Sequence, residues 1–400
     1  MIIWLSLLIP IIACIFCSIK YKKEFVWWEL LVPIAGCLLF TTIMKYSVET
    51  YQVSDTQYKN GVIVEARYYE SWSTWVSKMC TERYACGSHT EGSGKNARTV
   101  TDYCTRYYDC SYCDDHNPYW EVYDNLGHSW SISQEKYNSL MKQWGVTPQF
   151  VNLHRSIDYH SSLLGSDCGK DGNMYSIKWD GNRKTAETSV VEATYTNKIQ
   201  ASKSNFDLQS ISEDQAKKYG LYEYPKIYNS YRQKVVLGLD SCFNMNGKDT
   251  LEQQMEYLNG FYGPKRKCKI FVCLFNNKDL SIALKQRSYW DGGNKNEVVI
   301  CVDVDKNNGK LNWVYVFSWT ANKRIAVDLR EDIMNLGYLD VNKFIGIVEK
   351  DTKEFVYRDF REFNYLTTDP PTWEVWLVFL FTFGITIFTL WWSYNNEYEN

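Results

Sequence analysis

Three apolar stretches bracket this chain, and no other property narrows its folding options so much. The first spans residues 1–19, the second 25–44 and the third 375–394, and Glu29, about a turn inside the second, is their one charged residue. An apolar run of about 20 residues matches the thickness of a hydrocarbon core, and a charge that close to one end reaches the interface, so each reads as a transmembrane helix. Amphipathic rings stand at their rims: Trp4, then Trp27 and Trp28, then Trp373, Trp376, Trp391 and Trp392. Such rings favour the headgroup layer. The first run lacks the basic start and small-residue cleavage pattern of a signal peptide. The expectation is a multi-pass membrane protein whose partners include the lipid bilayer.

Orientation rests on Lys20, Lys22 and Lys23, which crowd the short loop between the first two runs. Short Lys-rich loops stay cytoplasmic, which places the large body on the extracytoplasmic side. Arg358 and Arg361, ahead of the third run, pull the other way. Long domains translocate largely regardless of charge, so the short loop decides.

About 325 residues lie between the anchors, enough for two cores. An aromatic fraction of 16% excludes a disordered linker, and a net charge of -3 offers no basic surface for nucleic acid. No Asn-x-Ser/Thr acceptor occurs, which points to a bacterial or phage-encoded protein of a cell envelope.

Residues 61–200 form the first half, a β-rich Cys/His module. Val62, Val64 and Ala66 alternate with Ile63, Glu65 and Arg67, and 99–108 alternates polar with aromatic residues, as half-buried strands do. Asp124-Asn125-Leu126-Gly127 reads as a hairpin turn, Ser133 as the cap of a helix ending at Trp144-Gly145, and Asp180-Gly181 as a second hairpin. Residues 205–366 alternate helices with strands and form an α/β layer. Its helices are expected at 250–262, 280–290, 321–336 and 341–366, and its strands at 268–275, 298–304 and 311–319. The fold class is thus an α+β membrane protein.

The cysteines carry the sharpest local pattern. Cys80, Cys86, Cys104, Cys110, Cys113 and Cys168 are six thiols in one module, an even number that suits disulfides outside the cytoplasm and allows about 15 connectivities. All five histidines fall between His89 and His160, and Cys104, Cys110, Cys113 and His116 offer the thiolate and imidazole donors of a structural zinc site. A zinc-dependent interaction module is therefore one open reading, and a disulfide-stapled module the other. Asp303-Val304-Asp305 starts like a calcium loop, but Asn308 and Val314 stand where such a loop needs Gly and Glu. A strand running into an Asn-Gly turn explains the same residues.

The order strand, helix, Trp290-Asp291-Gly292-Gly293, strand from Val298, hairpin, strand, helix resembles the TPM domain family over residues 268–337. Asn296 stands in the middle of that family's D-N-G pattern, with Lys295 and Glu297 in place of Asp and Gly. The resemblance implies a TPM-like α/β domain at an envelope or thylakoid membrane. Some members of that family are described as phosphatases or binders of divalent cations, but the departure at Lys295 and Glu297 carries over the fold and not that chemistry, so a metal-assisted phosphatase with a divalent cation on Asp303, Asp305 and Asp291 stands as the alternative reading. No complete catalytic set is legible and no cofactor is required, so the leading expectation is a binding or scaffold protein that grips another envelope or surface protein.

Overall fold

The computed structural model describes residues 2–21, 27–94, 98–154, 171–202, 206–242, 248–366, 368 and 370–396. Its contacts divide it into two units, one made of residues 60–189 with 227–233 and the other of the remaining residues. The architecture is mixed α+β, with a β-rich region and two helices long and apolar enough to cross a membrane. Cys168 lies outside the described residues.

The chain opens with helix α1 (Leu8–Tyr21) and helix α2 (Trp27–Gln52). The apolar window of α2 is Leu31–Gln52, so the helix runs well past Met44, where the apolar stretch ends. Helical hydrogen bonding continues through Lys45 and Glu49 because charge does not break a helix as it breaks an apolar run. The stretch Ile3–Ile19 is apolar but shorter than the other two.

Strand β1 (Ser54–Tyr69) is the spine of the β-rich region. Strands β2 (Trp72–Val76), β3 (Met79–Glu91), β4 (Arg98–Asp109) and β5 (Tyr112–His116) form two antiparallel pairs, β2 with β5 and β3 with β4. Strand β6 (Tyr119–Asp124) and strand β7 (Ser129–Ile132) form the expected hairpin. Asp124 builds its turn: Oδ1 accepts the backbone N–H of Leu126 and of His128, each at 2.9 Å, and Oδ2 accepts the Ser189 hydroxyl at 2.8 Å. Gly127 closes the turn at φ +88°, a conformation that disfavours a side chain.

Helix α3 (Gln134–Trp144) starts where Ser133 accepts the Lys136 amide and stops at left-handed Gly145, as its sequence requires. It lays Tyr137, Leu140 and Trp144 on Ile63, Ala66, Val122 and Ile177, the small core of this unit. Strand β8 (Gln149–His154), strand β9 (Gly172–Lys178) and strand β10 (Thr188–Thr196) complete the sheet. The order is β7-β6-β1-β9-β8, with β10 also on β1. Hence β9 and β10 do not form the hairpin expected at Asp180-Gly181. Both bond to β1 instead, whose 16 residues are long enough to take several partners.

The α/β part holds a four-stranded sheet: β11 (Val236–Leu237), β12 (Lys269–Phe275), β13 (Glu297–Val304) and β14 (Leu311–Ser318) in that order. The first three are parallel and the last antiparallel. Every residue of β12 and β13 is buried, as expected of parallel strands covered on both faces. Helix α4 (Ser281–Tyr289) connects them, and helices α5 (Arg324–Met334) and α6 (Val341–Asp351) follow β14. Ile325, Leu329, Ile333, Phe344 and Val348 join Phe271, Val272, Ile300 and Val302 in one core.

One helix ends earlier than periodicity suggests. Helix α6 stops at Asp351, and Phe360–Phe363 is a short 3-10 turn. That tighter turn brings Phe360 and Phe363 into an edge-to-face cluster with Trp319, which a continuous helix would spread apart. The helix expected over 250–262 runs from Lys248 to Arg266, with a π turn over Leu258–Tyr262 inside it. The wider turn lets the Asn259 amide bond both the N–H and the C=O of Ile270, at 2.7 and 2.8 Å.

The chain closes with helix α7 (Thr372–Asn396). It packs on α2, with Phe40 stacked on Phe381 at 3.8 Å between ring centroids. Gly36 permits the approach, since a Cβ there would stand 2.7 Å from Ile385. Thr41, Thr382 and Thr386 are buried along this seam, while Leu39, Ile43, Leu380, Phe383 and Ile387 are exposed on the outside.

Candidate functional site

Strands β12 and β13 are apolar except where each begins and at Asp303 near the end of β13. Lys269 and Glu297 are register partners there, and both are fully buried. Charged side chains reach such positions only when paired and hydrogen-bonded. Glu297 meets that condition several times over. Its Oε2 accepts the Asn294 backbone N–H at 2.8 Å, and its Oε1 accepts the Asn294 side-chain amide at 2.9 Å and the Tyr224 hydroxyl. The Lys269 ammonium lies over the rings of Phe271 and Tyr58, at 5.0 and 5.5 Å. Burial pushes the Lys269 ammonium down to about 7, against the pull of the Glu297 charge. Burial likewise pushes the Glu297 carboxyl up, opposed by Asn294, Tyr224 and Lys269.

The turn before β13 puts these groups in place. Asp291, Gly292 and Gly293 have φ of 52°, 84° and 78°, three successive residues in the left-handed region. At Gly292 a Cβ would also stand 2.9 Å from the Trp319 ring, so only glycine fits. The Gly292 N–H bonds the Arg287 carbonyl and the Gly293 N–H the Trp290 carbonyl, which coils the chain back and delivers Asn294 onto Glu297. Trp290 is pinned by its indole N–H on the Tyr222 carbonyl at 2.8 Å and stands edge-on to Tyr224 and Phe271.

A second carboxylate lies one layer out. Asp55 Oδ2 accepts the Asn197 amide at 2.6 Å and the Tyr195 hydroxyl at 2.8 Å, and Oδ1 accepts the Thr56 N–H at 2.7 Å. Tyr195 also lies 3.1 Å from the Asn294 amide oxygen, which joins the two carboxylates in one network. Burial and these acids push the Tyr195 and Tyr224 phenols up, so both act as neutral donors. A cavity of about 340 Å³ opens on this network. Its rings are Tyr58, Tyr224, Tyr289 and Trp290, and its polar wall includes Asp55, Asn197, Gln200, Asp291 and Asn294. It falls at the lower end of the size range of small-ligand sites, about 300–1,000 Å³.

Of the acids expected to share a cation, Asp291 lines this cavity, whereas Asp303 and Asp305 lie at and beyond the far end of β13. Six residues of strand separate Glu297 from Asp303, or about 20 Å at ~3.3 Å each, so the three acids do not form one ligand set. Asp303 is buried and accepts the Asn277 N–H at 2.5 Å and the Asn312 amide at 2.6 Å. Asp305 accepts the Asn307 N–H at 2.9 Å in the turn that leads into β14. Both acids hold turns.

The cysteine module resolves into bridges. Cys80 is paired with Cys110 and Cys86 with Cys104, and Cys113 is disulfide-bonded as well. A bridged sulfur offers no thiolate, so Cys104, Cys110 and Cys113 cannot ligate zinc in this form. His116 stacks on Trp72 at 4.5 Å. Among the described residues no three of His, Cys, Asp and Glu converge as a metal-ligand group.

The ribbon of β3 and β4 carries two of these bridges and differs from the half-buried strands that alternation at 99–108 predicts. Its residues are exposed almost throughout. Alternation along paired strands sorts its side chains. Cys80, Glu82 and Tyr84 share one face with Cys104, Arg106 and Tyr108, and both bridges lie on that side. The opposite face presents Met79, Arg83, Tyr103 and Tyr107, with Met79 63%, Tyr103 61% and Tyr107 72% exposed. Arg83 lies over the Tyr103 ring at 5.4 Å.

Sequence reasoning missed Lys269, Tyr224, Asn294 and the outward face of the ribbon. One signal was present: a Lys and a Glu each open a strand whose next five residues are apolar. Compared with known proteins, the chain matches no family model, no curated protein and no solved structure.

Proposed function

We propose that this chain is a membrane-anchored binding protein: an integral, multi-pass protein whose body stands outside the cytoplasm and grips another envelope or surface protein through the stapled ribbon. The observation that carries the reading is the ribbon's division of labour. Bridges rigidify one face, and the other displays Met79, Arg83, Tyr103 and Tyr107, residue types enriched where proteins meet and more exposed at Tyr103 and Tyr107 than Tyr84 and Tyr108 are on the stapled face. A rigid face loses little side-chain and backbone freedom on binding. Bridged cysteines suit an oxidising compartment, which agrees with the outward orientation drawn from the Lys-rich loop. Exposed apolar residues on α2 and α7 suit lipid contact.

The strand, helix, turn, strand, hairpin, strand, helix order over 268–337 favours a TPM-like fold for the α/β part. The phosphatase chemistry of that family does not follow with it, because Asp291 is a strand's length from Asp303.

A photo-crosslinking side chain at position 107, in intact cells, tests the reading. A discrete adduct with one partner protein, lost in Tyr103→Ala and not formed from position 82 on the stapled face, is the expected result. Equal yields from 107 and 82, or none from either, would remove the ribbon from the proposal.

A further inference from the structure

Beyond protein binding, the cavity of the α/β part has the chemistry of a small-molecule site. The geometry points to an alkylammonium ligand held there, its charge facing the aromatic wall and the carboxylates. The argument begins with where the wall's donors go. The Asn197 amide is spent on Asp55 at 2.6 Å and Tyr195 at 3.2 Å. That of Asn294 is spent on Glu297 at 2.9 Å and Tyr224 at 3.1 Å. The Tyr224 hydroxyl donates to Glu297 and the Trp290 indole to Tyr222. These donors are engaged by the protein's own acceptors.

Beside the hydroxyls of Thr56, Tyr58 and Tyr289 and the Gln200 amide N–H, the wall offers acceptors and π faces. Gln200 lines it, and its buried Oε1 has no hydrogen-bond partner among the described residues, an arrangement that a donor on the ligand would relieve. Asp55 and Asp291 supply carboxylates, and Tyr58, Tyr224, Tyr289 and Trp290 supply rings. Neither Lys269 nor Lys295 is part of the wall. A wall with acceptors and rings and, among the described residues, no cation of its own selects a donor-rich cation and disfavours anions, with Lys269 meeting this wall only at the Tyr58 ring. An ammonium on a short alkyl chain also fits the volume of about 340 Å³.

The test uses the full chain in lipid nanodiscs and measures butylammonium chloride and its neutral analogue 1-butanol by titration calorimetry. Saturable butylammonium binding at least about tenfold tighter than that of 1-butanol is expected, since the charge is what the site reads. Gln200→Leu and Tyr289→Leu should each weaken butylammonium several-fold, and Asp305→Asn, at the far end of β13, should leave it unchanged. Equal affinity for the two probes, or no saturable binding of either, overturns the proposal without touching the ribbon reading. So does an ammonium preference that Gln200→Leu and Tyr289→Leu both leave intact, because the ligand would then sit elsewhere.

Discussion

Lys269 and Glu297 face each other across two adjacent parallel strands, fully buried, at the one place where both strands depart from apolar sequence. Removing one member leaves the other buried without its partner, so it must hold an uncompensated charge or give up its ionisation. Lys269→Met or Glu297→Leu alone should cost about 3–5 kcal/mol, and the double variant should cost clearly less than the sum. Urea unfolding of the four variants would measure the coupling, and simple additivity would mean that the two charges do not act as a pair.

The same lysine gives a pH signature. Its folded value is lowered to about 7 from an ordinary 10.5. Between those values the unfolded chain binds more protons than the folded one, so this group makes stability rise with pH across that window. The slope should be on the order of 1 kcal/mol per pH unit and absent in Lys269→Met. Glu297, raised in the folded state, works in the opposite sense at lower pH, above the ordinary carboxylate range. A flat wild-type profile from about pH 7 to 10 would contradict the assignment.

Gly292 combines a left-handed backbone with an indole ring where a Cβ would go. Gly292→Ala should therefore destabilise the α/β part by about 2–4 kcal/mol, more than strain alone. Gly346 has nothing within 4 Å of an added Cβ and lies inside helix α6. Gly346→Ala should be neutral or stabilising by up to about 1 kcal/mol. Thermal melts of the pair would show whether the turn or glycine loss in general matters.

The bridge Cys86–Cys104 closes a separation of 18 residues in a ribbon with no core of its own. Replacing both by Ser should withdraw about 3 kcal/mol from the ribbon alone. Hydrogen exchange should speed up across β3 and β4 and stay unchanged at Ile63, Val122 and Leu140. Uniform loss of protection would show that the ribbon is not independently stabilised.

Asp303 is tied to the segment after β12 through Asn277 and to strand β14 through Asn312, so Asp303→Ala should cost about 2–4 kcal/mol by stranding both donors. Asp305→Ala should cost under about 1 kcal/mol. Restoration of the Asp303 variant by millimolar calcium or magnesium would revive a cation role; stability independent of both ions is expected.

Much of this was legible in the residues, and the reasons differ from place to place. The Asp124–Gly127 turn, the Ser133 cap and the strands 268–275 and 298–304 are local events, set by side chains within a few positions of one another. The Lys269–Glu297 pair was hidden because hydrophobic patterning averages over a strand and tolerates one charge at its end. Tyr224, Tyr195 and Asp55 reach the site from three distant segments, which no spacing rule connects. The ribbon deceived for another reason: alternation of polar and aromatic residues normally marks one buried face, yet here the aromatic positions meet solvent. Asp291 and Asp303 were grouped by nearness in sequence, although an extended strand is the conformation that carries neighbours furthest apart.

Helix α2 packs against helix α7, so segments that flank the whole body between residues 53 and 371 form a single bundle. During synthesis α2 must wait for that body to emerge before Gly36 can meet Ile385. Until then α2 holds the body from one side only, and the seam at Gly36 is what closes it from both.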